Sequence, residues 1–490
     1  MKRCHPVSLL FIGIYFSSLL ISSGIAGPQK EGKIPITTKS EEARKAFLQG
    51  RDLFEKLRAQ NSRQYFEQAV AKDPDFALAY LFLANAQPSA KGFFENLDKA
   101  VALTDKASEG EKWWIMGVQA GATGNPAKQG EIYQKLCDAY PNDERAQTLL
   151  GNYYFGLQDY AKAIEVYEKS VKINPAYSQP YNQLGYAYRF LEKYDDAEKT
   201  FKKYVELIPD DPNPYDSYAE LLMKIGRYAE SIQKYQEALK IDPQFVASHT
   251  GIATNLNFMG KHGEARKQLQ KLYDAARDDG ERRAAYFSMA VSYADEGKMD
   301  RALEMLRKQY AIAEKINDAA AMSGDLVLMG NILIEMGKFD EAKEKYDQAR
   351  KVVQESTLSD AVKANNRRFS MFNSAYAAVA KGDLAAAKEA AETLRKEAHA
   401  VNNRFQIWLA HQAAGMIALQ EKNYEKALEE LPQANQQDPY NLYRMALAYQ
   451  GKGDLQQARA MFTTVANHNT LNSMNYAFVR SKAKQMLTSN

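Results

Sequence analysis

Small and aromatic residues recur along this chain at spacings of three and four, in blocks that repeat every 34 residues. Between Glu144 and Tyr177, Leu150, Gly151 and Tyr154 share one stripe of a first helix, and residues 157–159 turn the chain. Ala163, Tyr167 and Ser170 then share one stripe of a second helix, which Pro175 stops. Apolar or small residues so spaced lie on a single helical face. Pro175 has no backbone N–H to donate and disfavours helical geometry in Asn174. The next blocks read Tyr181, Leu184, Gly185, Tyr188, Ala197, Phe201, Pro209, then Tyr215, Ala219, Leu222, Ser231, Tyr235, Ala238, Pro243. Pro141, Pro175, Pro209 and Pro243 keep this period, as do Gly117, Gly151, Gly185, Ala219 and Ala253.

A fixed period of this length means one helical hairpin copied along the chain, hence an open array rather than a globule. A helix of roughly 14 residues is marginal alone in water, so each hairpin needs its neighbours to bury its stripe. The 30 tyrosines are core filling first. Gly185 and Tyr188 are expected in the seam, with Tyr188→Ala costing about 3–5 kcal/mol if fully buried.

A looser signature, two small residues twelve apart across a turn, continues on both sides. Gly50/Ser62 and Ala84 lie upstream; Ala290/Ala302, Gly330/Ala342, Ala375/Ala387, Gly415/Ala427 and Ala446/Ala458 lie downstream. Asn96 and Gln129 stand where Ala84 and Gly117 need a small partner, so the N-terminal part is expected to be irregular. Gly297, Gly337, Gly382 and Gly453 fall at turns, where glycine accepts the left-handed conformation that ends a helix. The count is twelve hairpins, seven in residues 43–280 and five, with longer helices, in residues 281–471. The Asp278–Glu281 stretch is the expected joint between the two arrays. Pro432 should kink its helix, and residues 472–490 supply a solitary amphipathic helix that caps the last hairpin.

The order aromatic, Leu-Gly, Tyr, Ala, aromatic, Ala, Pro resembles the tetratricopeptide repeat family, most closely over residues 110–276, where Trp113 takes the leading aromatic place. The resemblance implies an all-α, right-handed superhelical solenoid whose first helices line a concave groove. It implies a non-catalytic scaffold that binds a protein or peptide, and no cofactor. Off-pattern residues on those first helices are then the candidate contacts: Arg145, Thr148, Asn152, Gln179, Asn182, Tyr186, Arg189, Asn213, Asp216, Glu220, Thr250 and Asn257. This polar, amide-rich strip suits an extended backbone or a helix surface, and Asn182→Ala should leave melting unchanged. Some co-chaperones of this family clamp a carboxylate with lysines, an arginine and asparagines. The matching places here hold Thr148, Asn152, Gln183, Asn213 and Ser217, so no such clamp is expected. Pro212 and Pro214 read as a helix start; alternatively Asp216 and Glu220, four apart, present an acidic face to the groove.

The remaining chemistry changes little. Net charge is +3 over 490 residues, which argues against a nucleic-acid partner. His249 and His411 take aromatic places of the repeat and read as packing residues. No His-Glu-x-x-His pair, Gly-x-Ser-x-Gly or phosphate-binding loop occurs, so neither metal nor catalytic residues are expected. Residues 1–26 carry a basic start, an apolar Val7–Ile21 run and small residues before Ala26, the layout of a secretory leader followed by a linker at 27–42. An uncleaved anchor is the alternative. Only Cys137 remains after cleavage, so no intramolecular disulfide forms, which fits a bacterial envelope, periplasmic or extracellular. The alternative role is an accessory subunit of an envelope assembly or nutrient-uptake complex.

Overall fold

The computed structural model describes residues 32–488, and these contain twenty-five α-helices and no strand. The helices pair as hairpins: α1 (Glu41–Glu55) with α2 (Ala59–Lys72), α3 (Ala77–Asn85) with α4 (Ala90–Ala102), α5 (Glu109–Ala122) with α6 (Pro126–Ala139). Next come α7 (Glu144–Gly156) with α8 (Tyr160–Ile173), α9 (Gln179–Phe190) with α10 (Tyr194–Leu207), and α11 (Pro212–Lys224) with α12 (Tyr228–Ile241). Then follow α13 (Val246–Phe258) with α14 (His262–Asp274), α15 (Asp279–Asp295) with α16 (Met299–Lys315), and α17 (Ala319–Glu335) with α18 (Phe339–Gln354). The series closes with α19 (Asp360–Lys381) and α20 (Leu384–Ala400), α21 (Arg404–Gln420) and α22 (Tyr424–Glu430), α23 (Pro439–Lys452) and α24 (Leu455–Ala466), and a single α25 (Met474–Thr488). Twelve hairpins and a final helix match the count expected from the period. The leader expected at residues 1–26 lies outside the described residues.

In many hairpins the seam is a small residue under a ring sixteen positions on. A Cβ at Gly185 would stand 2.6 Å from Phe201, and one at Gly50 2.7 Å from Phe66. Gly117 with Tyr133, Gly151 with Tyr167 and Gly330 with Tyr346 repeat this close approach. Most turns between paired helices carry a left-handed residue: glycine at 297, 337, 382 and 453 as expected and also at 124, 226 and 260, and Leu57, Gln158, Glu192 and Lys422 in four others.

The 34-residue period also carries a hydrogen bond. Tyr181 and Tyr215 hydroxyls donate to the Pro175 and Pro209 carbonyls at 3.1 Å, and Gln147 reaches Pro141 at 3.4 Å. His249 takes the same place: Nε2 meets the Pro243 carbonyl at 2.9 Å, and Nδ1 meets the Gln268 amide at 2.8 Å. The carbonyl must accept and the amide must donate, so one neutral tautomer satisfies both, and burial lowers the imidazole pKa.

Three features depart from the expected open array. Pro432 ends α22 outright rather than kinking it; a short 3-10 turn, Leu431–Gln433, follows and sets Leu431 against Gly415. Residues 33–38 are not a loose linker. The Ile34 N–H donates to Asp143 at 2.9 Å and the Thr37 N–H to Glu111 at 2.7 Å, so this strap crosses the starts of α7 and α5. The last helix, α25, is no solitary cap: besides α24 it packs on α23 and α15, with Tyr476 1% exposed and edge-on to Phe258.

Residues 278–281 continue the stack, with Asp278 capping α15 and receiving Arg63 at 3.1 Å from the first hairpin. Residues 32–488 form one compact unit. Among the described residues no helix is long and apolar enough to cross a membrane.

Candidate functional site

None of the twelve side chains expected on an open groove is exposed. Thr148, Asn182, Arg189, Asn213, Asp216, Glu220 and Asn257 are buried, and Arg145, Asn152, Gln179, Tyr186 and Thr250 are half-buried. The cause is tight winding, which brings other parts of the chain into the groove of α7 to α13. The end of α1 enters from one side: Glu55 takes both Nε and Nη2 of Arg145, at 2.6 and 2.9 Å, and Arg58 lies 3.6 Å from Asp211. From the other side, Asn469 bonds the Tyr228 hydroxyl at 2.9 Å and the Lys224 carbonyl at 3.3 Å. Arg480 lies 4.1 Å over the Phe258 ring.

Most of the twelve are therefore wiring within and between hairpins. Thr148 meets Ser170 at 3.0 Å, Asn152 accepts from Tyr167 at 2.7 Å, and Gln179 accepts from Tyr177. Asn213 donates to Tyr204 at 2.6 Å and Asn257 accepts from Ser292 at 2.8 Å. Glu220 accepts from Tyr186 at 2.8 Å and Arg189 at 2.6 Å. Asn182 and Thr250 make no side-chain hydrogen bond; the Asn182 carbonyl oxygen is buried without a partner, so the expectation that Asn182→Ala leaves melting unchanged loses its basis. Tyr188, expected in the seam, is half-buried with its hydroxyl on exposed Glu168, so its truncation costs less than a core tyrosine's. Pro212 does begin α11, behind the Asp211 cap, and the Asp216/Glu220 face points inward.

Asp216 is the chemically odd member. Burial is the chief cause of a carboxyl pKa raised to about 7, with Glu220 adding to it and the Ser248 hydroxyl, 2.7 Å away, opposing it. His411, by contrast, pairs at 2.7 Å with Glu430, whose pKa is about 2 because His411, Lys426 and Arg395 outweigh its burial. Among the described residues no cluster of three or more potential metal ligands occurs.

The open concave surface lies in the C-terminal hairpins. There α17, α19, α21 and α23, with Arg283 of α15 and Asn475 and Phe478 of α25, surround a chamber of about 660 Å³. The return of α25 to α15 makes the wall a ring: Asn472 reaches Ser288 at 2.8 Å, and Lys482 and Tyr440 both reach Glu335 at 2.6 Å. Asn331, Asn366, Asn373 and Gln412 put amides on the wall, and Phe369, Phe372, Tyr376 and Leu409 put apolar surface there. Asn373 makes no hydrogen bond, and Phe369 stands 37% exposed. Sequence reasoning missed this site because the 34-residue match fades after residue 276; the amide beside a small residue in Gly330-Asn331 was the available signal.

Models of the tetratricopeptide repeat match residues 47–107, 144–210, 212–245 and 440–469, and one of a tetratricopeptide repeat-like domain matches residues 252–370. The chain belongs to the tetratricopeptide repeat family. No curated relative matches it. Among solved structures it is similar to a tetratricopeptide repeat protein from Parabacteroides merdae, at 17% identity and a TM-score of 0.36, covering 56% of this chain and 94% of that one. It is also similar to PilW, a type IV pilus biogenesis factor, at 21% identity and a TM-score of 0.33, covering 45% and 97% of the two chains. YrrB, a tetratricopeptide repeat protein with an unusual peptide-binding site, matches at 19% identity and a TM-score of 0.26, over 37% and 93%. In this tetratricopeptide repeat chain the N-terminal groove is largely occupied by the chain itself, leaving a cavity of about 200 Å³ lined by Arg145, Thr148, Asn152 and Gln179, and the wider chamber lies in the C-terminal hairpins.

Proposed function

We propose that this tetratricopeptide repeat protein is a scaffold without chemistry of its own, which binds a protein or peptide in the C-terminal chamber and works in the bacterial cell envelope. The observation that carries the binding reading is the chamber wall itself, where the amides of Asn331, Asn366, Asn373 and Gln412 lie beside aromatic surface, that of Asn373 without an intramolecular partner. Peptide ligands need that combination: amide groups for the main chain and apolar surface for side chains. The envelope location rests on the leader layout of residues 1–26 and on the single cysteine left after it. That cysteine, Cys137, is buried and its thiol donates to the Ala146 carbonyl at 3.2 Å.

Site-specific photo-crosslinking in cells tests the reading. A crosslinker at Phe369, on the chamber mouth, should capture one stoichiometric partner, while the same group at exposed Lys343 of α18 should not. Equal or absent crosslinking at the two positions refutes the chamber as the binding site.

A further inference from the structure

The N-terminal groove keeps a cavity that the chain itself does not fill. About 200 Å³ remain between α1, α3, α5, α7 and α9. The inner wall is apolar: Phe54, Phe82, Trp114 and Leu149 line it, with the Phe54 and Trp114 rings edge-on to that of Phe82 at 5.5 and 5.4 Å. The rim carries amides with unused bonding capacity. Asn152 accepts from Tyr167 and Gln179 from Tyr177, and the NH2 group of each is left without a partner among the described residues. Asn85 donates to the Leu81 carbonyl at 2.9 Å, while its own carbonyl oxygen accepts nothing. Charges in the wall are matched. Arg145 gives Nε and Nη2 to Glu55 and Nη1 to Glu144 at 2.8 Å, and Arg51 stands 3.7 Å from Glu55.

We propose that this cavity is a second binding site, separate from the C-terminal chamber, and that it takes a small neutral molecule: a single flat ring carrying a carboxamide or lactam group. Volume sets the size, since an apolar cavity of about 150 Å³ already holds benzene. The aromatic wall receives the ring, and a few placed polar groups fix its orientation, as in ligand sites generally. The rim selects the polar group. The NH2 groups of Asn152 and Gln179 donate to a carbonyl oxygen, and the Asn85 oxygen accepts from an N–H beside it; an amide offers both. Neutrality follows from the matched charges, because an entering ion would lose its water without gaining a counter-charge. An extended chain has no path along this part of the groove, which Glu55 and Arg58 cross to reach Arg145 and Asp211. The ligand is therefore a free small molecule rather than a stretch of a partner's main chain.

Isothermal titration calorimetry on the leader-free chain tests this with benzamide, benzoate and benzamidine as probes. Benzamide should bind at least about tenfold tighter than benzoate, which brings an unmatched charge. Val118→Trp, at a half-buried position of the cavity wall, fills the space and should abolish benzamide binding. Gln179→Glu keeps the oxygen that Tyr177 bonds and replaces the free donor with an anion. The preference should then swing at least about tenfold from benzamide toward cationic benzamidine. If Val118→Trp fails to fold, Gln179→Glu decides. No binding of benzamide, or binding that Val118→Trp leaves unchanged, overturns the site, and no swing in Gln179→Glu overturns the amide assignment. Benzoate binding as tightly as benzamide overturns the neutral ligand. N-acetylphenylalanine methylamide binding tighter than benzamide would make the cavity a seat for a partner's side chain and overturn the free small molecule. These outcomes leave the chamber to be judged by the Phe369 crosslink.

Discussion

Asp216→Asn should gain stability relative to the wild type as pH rises. Asp216 is 4% exposed, accepts from Ser248 and sits one helical turn from Glu220, with Tyr186, Arg189 and Tyr235 around the pair. Its carboxyl pKa is about 7 in the fold against 3.8 as the ordinary value. A folded pKa above the unfolded one means that the native state binds the extra proton. The contribution is therefore fully present below the unfolded pKa and is lost as pH rises through the folded one. Between about pH 5 and pH 8 the native state should lose roughly 3 kcal/mol from this group, at 1.36 kcal/mol per unit up to its pKa. His468 works in the opposite sense: burial, Lys224 and Arg189 lower its pKa to about 4, so its contribution is present above its ordinary value and is lost as pH falls toward 4. The wild-type curve alone mixes the two, and the wild-type minus Asp216→Asn difference isolates Asp216. Urea titrations followed by circular dichroism at about pH 5 and about pH 8 should show that difference shifting by about 3 kcal/mol in favour of the variant at high pH. A difference that does not move with pH refutes the inward-facing, proton-holding assignment.

Gly185→Leu should abolish folding or lower the urea midpoint severely, because the Phe201 ring occupies the space its side chain needs. Tyr476→Ala should cost about 3–5 kcal/mol in the same titration, since this fully buried ring joins α25 to Phe258. Glu192→Gly should stabilise by about 1 kcal/mol, because Glu192 is held in the left-handed region at φ 58°. Asp143→Ala removes both the cap of α7 and the anchor of Ile34, so it should cost about 1–2 kcal/mol and speed tryptic cleavage at Lys33 and Lys39.

The repeat was legible because it is written locally. A glycine and a ring sixteen positions later lie within one hairpin, and a proline carbonyl and a donor six positions later span one junction between consecutive hairpins, so the pattern records them copy by copy. His249 was readable as a packing residue for that reason. What escaped was contact between turns of the superhelix. Gln158 donates to Asn435 at 2.7 Å, and Asn403 donates to the Gly124 carbonyl at 2.7 Å, across 277 and 279 residues. Such pairs have no period, and each partner looks like an ordinary turn residue. Without them the groove of α7 to α13 reads as open, and its amides and charges read as waiting for a guest. With them, Arg145 and Glu220 are tied inside the fold, and the open wall moves to Asn331, Phe369 and Asn373.

The clasp between distant turns also limits how this gene can change. In an unclasped solenoid, one module gained or lost merely lengthens or shortens the rod. Here a duplication anywhere between Gly124 and Asn403 would rotate and displace one partner by a full module, parting the pair. Copy number is thereby frozen by geometry, and descendants of this chain are expected to vary in loops and surface residues while keeping twelve modules.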